Sequence, residues 1–455
     1  MVDTYAGEYS TLSTLPALSA TPDRYYNPGS NVPYTPPTNQ ATLAELERVK
    51  RILDKHECDH EEAWQAYQSL PSPRLALLPP YYKHRLLQKL TTLERKDPKS
   101  MFRYMSVMEQ CLAIGYHFSE GLWNSAVAFS AHGYSRIEAS GVEAAILKWK
   151  EMEKTHGVTA GYVTFNILFD LATKAQKFVL AEMILQEMEQ RGLPISRHAR
   201  VGIIYYHGMK GDGSAVRKAY HDFVESGEIV DTTVLNCVIA SLLRSGEPQA
   251  AEMVFGRMKE RIFQNPQMEL PRREWRENRD LGKELARAAR HCRDDPTRRK
   301  EIQSKQFLAP DGRTFRILVE HYAVTSGEIM KISSLVTEMH HFGMPVQGPI
   351  FVRIFKGFAY HGGKRYTVWT KARLESVWNA LLCALDQQLE HLNLDRWLAV
   401  WIVRAFEKCF GPMETLAIWE ELRKRWKEDE FRELGVVQDM LKGILTAAVQ
   451  RQASV

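Results

Sequence analysis

Asn166, Val201 and Asn236 stand 35 residues apart, and the columns around them keep the same interval. Ala181, Val216 and Ala251 form one such column; Met188, Phe223 and Met258 form another. Gly192 recurs as Gly227, and Ser196 recurs as Asp231. A unit this short cannot bury an apolar face by itself, so a fixed period of this length requires each copy to stack on its neighbours. Within the first copy Phe165, Leu168, Phe169 and Ala172 fall at helical spacing, as do Ala181, Ile184, Leu185 and Met188. Gly192 follows the second stripe, where a left-handed residue commonly ends a helix. The expectation is an all-α solenoid of antiparallel helix pairs.

The pattern divides the 455 residues into five stretches. Residues 1–41, rich in Ser, Thr, Pro and Tyr, are expected to form a disordered tail. Helical hairpins follow over 42–261, clearest at 162–196, 197–231 and 232–261, with a Pro-rich break at LPSPRLALLPP. An insertion spans 262–308; its second part reads as a helix ending at Pro296 and projecting from the array. Degenerate hairpins occupy 309–430, and a last helix and tail occupy 431–455. No apolar run approaches the ~20 residues of a membrane-spanning helix. The six cysteines are scattered without a C-x-x-C pair, a pattern of buried thiols rather than a disulfide framework.

Charge is concentrated in the insertion. Residues 257–305 hold fifteen Lys and Arg against nine Asp and Glu, an excess of six beside a net +5 for the whole chain. Arg276, Arg279, Lys283, Arg287 and Arg290 share one helical face, and arginine forks bind phosphates bidentately. The same helix also pairs charges internally, as at Arg276 and Asp280, so a solvated surface helix is the alternative.

Catalytic patterns are absent. His56, Cys58 and His60 alternate at two-residue spacing, which a helix turns to different faces, and no second ligand cluster completes a tetrahedral site. There is no phosphate-binding GxxxxGKS loop, no GxSxG elbow and no H-x-E…P-C-x-x-C zinc deaminase signature. Neither an enzyme nor a cofactor or metal is expected.

Residues 162–196 resemble a pentatricopeptide repeat, which opens with a Val-Thr-Tyr-Asn-like run and closes with Glu-Met and a Gly. Here Val163, Thr164, Phe165 and Asn166 open the unit, and Glu187, Met188 and Gly192 close it. TVLNCVIASLLRSGEPQAAEMVFGRMKER is a second good copy and GRTFRILVEHYAVTSGE a weaker one. The Trp-x-x-Leu-Gly-x-x-Tyr run of the 34-residue tetratricopeptide repeat is missing. The resemblance implies a right-handed superhelix that binds single-stranded RNA, one base per repeat. It makes Asn166 with Ser196 a base-reading pair for a pyrimidine, Val201 with Asp231 a departure from the usual polar pair, and Asn236 a reader parted from its partner by the insertion. It places Val163, His198 and Thr233 where they sandwich bases, Asn124 as a possible fifth-position counterpart, and Arg316 with Val346 outside the known pairs. It further implies a mitochondrial protein of fungal type acting in RNA processing, stability or translation, with 5′-end maturation of small-subunit ribosomal RNA as one case. The alternative it offers is a protein-binding scaffold for assembly of a respiratory complex such as complex I.

Overall fold

The computed structural model describes residues 34–425, apart from 57, 95, 134–136, 264–274 and 390–391, and a few residues between 435 and 446. Most of the expected N-terminal tail and of the 431–455 stretch lies outside these. Among the described residues every regular element is helical. The chain divides into two compact units, one of residues 2–247 with 272–306, the other of 248–271 with 307–455.

In the first unit α1 (Gln40–Asp54), α2 (His60–Ser69), the one-turn α3 (Arg74–Leu77) and α4 (Pro80–Leu90) open the chain. Then come α5 (Pro98–Ala113), α6 (Glu120–Ser130), α7 (Ala139–Lys154), α8 (Tyr162–Lys174), α9 (Phe178–Gln190), α10 (Arg197–Lys210), α11 (Gly213–Glu225) and α12 (Thr232–Arg244). After α13 (Pro248–Phe263), which belongs to the second unit, α14 (Trp275–His291) and α15 (Pro296–Ser304) return to the first. The second unit continues with α16 (Gly312–Glu320), which runs into a π-helical turn (His321–Ser326), and α17 (Ile329–His341). It ends with α18 (Gly348–His361), α19 (Lys371–Asp386), α20 (Arg396–Cys409) and α21 (Pro412–Arg425).

The stacking is that of a repeat array within each unit. α8 packs on its partner α9 and also on α6 and α10, and α10 packs on α11, α8 and α12. The second unit repeats the scheme, with α18 against α16, α19 and α20. First helices are therefore buried by three neighbours and read as continuous apolar runs, whereas second helices bury one stripe. α8 buries Phe165, Leu168, Phe169 and Ala172, while α9 buries Ala181, Ile184 and Met188 and leaves Val179 and Met183 exposed. Phe165 lies 5.4 Å from the Trp149 ring of α7 and 4.9 Å from the Arg191 guanidinium, which Glu153 holds at 2.6 Å. Truncating so enclosed a ring costs about 3–5 kcal/mol.

α7, α9, α11 and α17 are each followed by a left-handed glycine, at Gly157, Gly192, Gly227 and Gly343. Gly192 has φ 64°, its N–H bonds to Glu189 O, and Leu193 N–H bonds to Met188 O, both at 2.9 Å. Inside the hairpins a second left-handed column runs through Gln176, Gly211 and Gly246, 35 residues apart.

Two expectations need correction. Pro296 does not end a helix; it begins α15, with Asp295 capping Arg298 N, because proline's fixed φ and missing N–H suit the first helical position. Nor do the described parts of the insertion project from the array. Leu285 and Ala289 of α14 pack with Ile229, joined by Leu281, Ala288 and Ile302, and Gln303 of α15 bonds both to Val230 N at 2.7 Å and to Val230 O at 3.0 Å. An amphipathic helix docks when its apolar stripe has a surface to cover, and the loop between α11 and α12 supplies one.

Candidate functional site

The fifth residues of the first helices are Asn124 in α6, Asn166 in α8, Val201 in α10 and Asn236 in α12. The residue capping the following first helix stands beside one of them, Asn166. Ser196 caps α10, accepting from Ala199 N at 3.3 Å, and its Oγ also accepts from Asn166 Nδ2 at 2.9 Å. Asn166 Oδ1 is buried and has no hydrogen-bond partner. A buried amide oxygen without a donor costs about 1–3 kcal/mol, a cost that this half-buried side chain carries in the free chain.

The next unit is built differently. Val201 is buried among apolar neighbours, and Asp231 caps α12 through Val234 N at 2.9 Å while its other oxygen pairs with Arg197 at 3.1 Å. Arg197 also donates to Ile229 O and lies 5.2 Å over the Phe223 ring. Both Asp231 oxygens are thus engaged by the protein. Asn236 is buried in α12.

Asn124 settles into the fifth position of α6 although 42 residues, not 35, separate it from Asn166. It accepts from Thr164 Oγ1 at 2.6 Å and donates to Glu120 at 3.3 Å, and Glu120 also takes Gly161 N. The helix-cap signal identifies two further positions that the periodicity passes over. Asp311 caps α16 in a reciprocal box with Thr314, as Ser196 and Asp231 cap their helices, and the cap of α18 is Gln347 rather than Val346.

Of the residues expected to sandwich bases, Val163 is half-buried against the core, and Thr233 and His198 are half-buried near the starts of their helices. Burial pulls the His198 imidazole down to about 4, and the charges of Arg197 and Lys283 push the same way. His198 is therefore neutral at physiological pH. The effect of Lys283 puts α14 beside the start of α10.

The five basic residues of α14 divide by environment. Arg276 and Arg279 lie over the Trp275 ring at 5.0 and 5.5 Å, and Asp280 pairs with Lys283 at 2.8 Å and with Arg279 at 3.5 Å. Arg287 and Arg290 are exposed, and Arg290 Nε touches only its own helix, at Ala286 O. The basic stripe lies opposite the docked Leu281–Leu285–Ala289 stripe, yet only Arg287 and Arg290 of its five cations are exposed; Arg276, Arg279 and Lys283 are half-buried. At the His56–Cys58–His60 run, His60 Nδ1 bonds to Leu90 O at 3.0 Å and Cys58 is buried.

An array of helix hairpins in which first helix stacks on first helix defines an α-solenoid repeat protein. The family model described as PPR repeat matches residues 163–193 and 233–263, so the chain carries pentatricopeptide repeats at these two stretches. In a search of curated proteins, no sequence matches. Among solved structures the chain is similar to the pentatricopeptide repeat protein PPR10 in complex with an 18-nt psaJ RNA element, at 14% identity and a TM-score of 0.31, over 80% of this chain and 54% of that one. It is also similar to PPR10 from maize, at 15% identity and a TM-score of 0.30, over 91% and 57%. The chain thus spans little more than half the length of these proteins.

Proposed function

We propose that this protein is a single-stranded RNA-binding adaptor of mitochondria that acts in RNA processing, stability or translation, by binding and not by catalysis. The observation that carries the proposal is the Asn166–Ser196 pair, whose amide oxygen is buried and unpartnered where the repeat presents a residue to a base. With one Nδ2 hydrogen given to Ser196, Asn166 keeps a second Nδ2 hydrogen for a base edge, and the choice of a pyrimidine rests on the family resemblance. Arg287 and Arg290, exposed on the basic stripe of α14, suit phosphates; maturation of small-subunit ribosomal RNA as the particular role rests on the family resemblance. Placement in mitochondria rests on the family resemblance, and recovery of the tagged chain outside that organelle would contradict it.

Replacing Asn166 with Ala tests the reading. Affinity for the preferred RNA should fall by about 1–3 kcal/mol, and less for a scrambled strand. The fold should persist, since Ala is the better helix former. Equal loss on both strands makes Asn166 a general contact, and no loss on either removes it as a reader.

One observation favours a second reading, a protein-binding scaffold: Arg197 already occupies Asp231, so the second in-register unit presents no open polar pair. Selective recovery of a protein complex with no bound transcript would decide for it.

A further inference from the structure

The loop after α11 is covered where the equivalent loop after α9 is open. Ile195 is 45% exposed, whereas its counterpart Val230 is 7% exposed and the neighbouring Ile229 is fully buried. A β-carbon on Gly192 would meet nothing within 4 Å, but one on Gly227 would stand 2.7 Å from Arg299 Nη1 of α15. The insertion is what covers this loop. Leu285 and Ala289 of α14 pack on Ile229, and the Gln303 amide of α15 bonds to both the N–H and the carbonyl of Val230.

α14 also reaches beyond the loop. Burial lowers the Lys89 ammonium at the end of α4, and the charges of Arg85 and Arg276 push the same way. Lys283, midway along α14, acts likewise on His198 at the start of α10. The 17 residues of α14, about 25 Å of helix, thus run from α4 past the start of α10 to the loop before α12. On this course Arg276, Arg279 and Lys283 are half-buried, and only Arg287 and Arg290 of the basic stripe face solvent. The unit beneath is the one already closed from within, with Val201 buried and Asp231 held by Arg197.

We infer that α14 and α15 form a built-in cover over the α10 unit, which keeps a bound strand off α10 and passes its phosphates over Arg287 and Arg290 instead. Reading at a unit needs its closing edge open, as it is at Ser196 beside Asn166, and one copy later that edge is occupied by Leu285, Arg299 and Gln303. The apolar contact and the two-way amide pair hold the insertion there without a ligand, and outward guanidinium groups suit a phosphate backbone. The inference rests on the RNA-binding reading and deepens it: adjacent copies are not read in succession.

Ultraviolet crosslinking of the purified full chain to a 20-nt RNA of random sequence, with the linked peptides sequenced, tests it. In the unaltered chain RNA should be joined to peptides of α8 and to α14 around Arg287 and Arg290, and several-fold less often to α10 (Arg197–Lys210). Leu285→Asn with Gln303→Ala removes the apolar anchor and both amide bonds without changing charge. Faster hydrogen exchange at Val230, whose N–H donates to Gln303, should report the undocking, and crosslinks to α10 should then rise several-fold. If melting shows the double variant unfolded, Gln303→Ala alone, which leaves the apolar contact intact, takes its place. Crosslinks to α10 as frequent as those to α8 in the unaltered chain overturn the cover and leave the RNA-binding reading standing. An undocked variant whose α10 stays unlinked also overturns it, because α10 then excludes the strand by itself. If RNA links to no peptide and no transcript is recovered from cells, the RNA-binding reading falls and the cover with it.

Discussion

Gln176 holds a left-handed backbone, φ 59°, where its counterparts in the next two copies are Gly211 and Gly246. An L-residue there costs about 1–2 kcal/mol, and glycine's greater freedom in the unfolded chain returns about 0.4–1, so Gln176→Gly should gain roughly 0.5–1 kcal/mol in denaturant unfolding. A loss would mean that the Gln176 side chain contributes more than its backbone costs. His132 carries a pH expectation of defined sign. Its Nδ1 bonds to Ala128 O at 2.8 Å, and burial, reinforced by the charges of Lys96 and Lys174, lowers it to about 3. A histidine of the unfolded chain takes a proton near pH 6.5, so unfolding consumes protons between there and about 3. The stability due to neutral burial is complete above pH 6.5 and is lost as the pH falls through that window. Proton uptake on unfolding at pH 5 should therefore drop by about one in His132→Asn. Unchanged uptake would show that His132 is already charged in the fold. At this scale the site was partly legible: Asn166 and Ser196 follow from the period, but the Arg197–Asp231 pair does not, because its partners lie 34 residues apart and are joined only by hairpin stacking.

Among the elements, α14 shows how far patterning reaches. Its two stripes are plain in the sequence, yet nothing local says that the apolar one docks on Ile229, more than forty residues earlier in the chain. Pro296 misleads because proline both follows helices and starts them, and only Asp295, the cap before it, resolves the choice. Asn124 is obscured by the stretched connection between α6 and α7, which breaks the 35-residue count without shifting the helix register. If the basic stripe of α14 meets phosphates, changing Arg276, Arg279, Arg287 and Arg290 together to Gln should weaken all RNAs alike. It should also flatten the slope of log affinity against log salt by roughly 0.7 for each phosphate no longer neutralised. An unchanged slope would assign these arginines to a solvated surface.

For the molecule as a whole, one period explains why the helices form and why each hairpin needs a neighbour, and it accounts for the succession of first helices within each unit. Its degeneracy has a functional side. The copy at Asn166 carries an open polar pair, whereas the next is closed by its own ion pair at Asp231 and Asn124 is engaged by Thr164 and Glu120, so base reading would be sparse and affinity would depend on contacts that do not read sequence. The central claim is that unpaired RNA lies along the first helices. Ultraviolet crosslinking of the full chain in cells, with the crosslinked peptides and RNA both sequenced, tests this most directly. The account predicts a restricted set of mitochondrial transcripts, joined to peptides from the first helices Tyr162–Lys174, Thr232–Arg244 and Arg396–Cys409. Recovery of no enriched RNA, or crosslinks confined to second helices such as Phe178–Gln190, would contradict it.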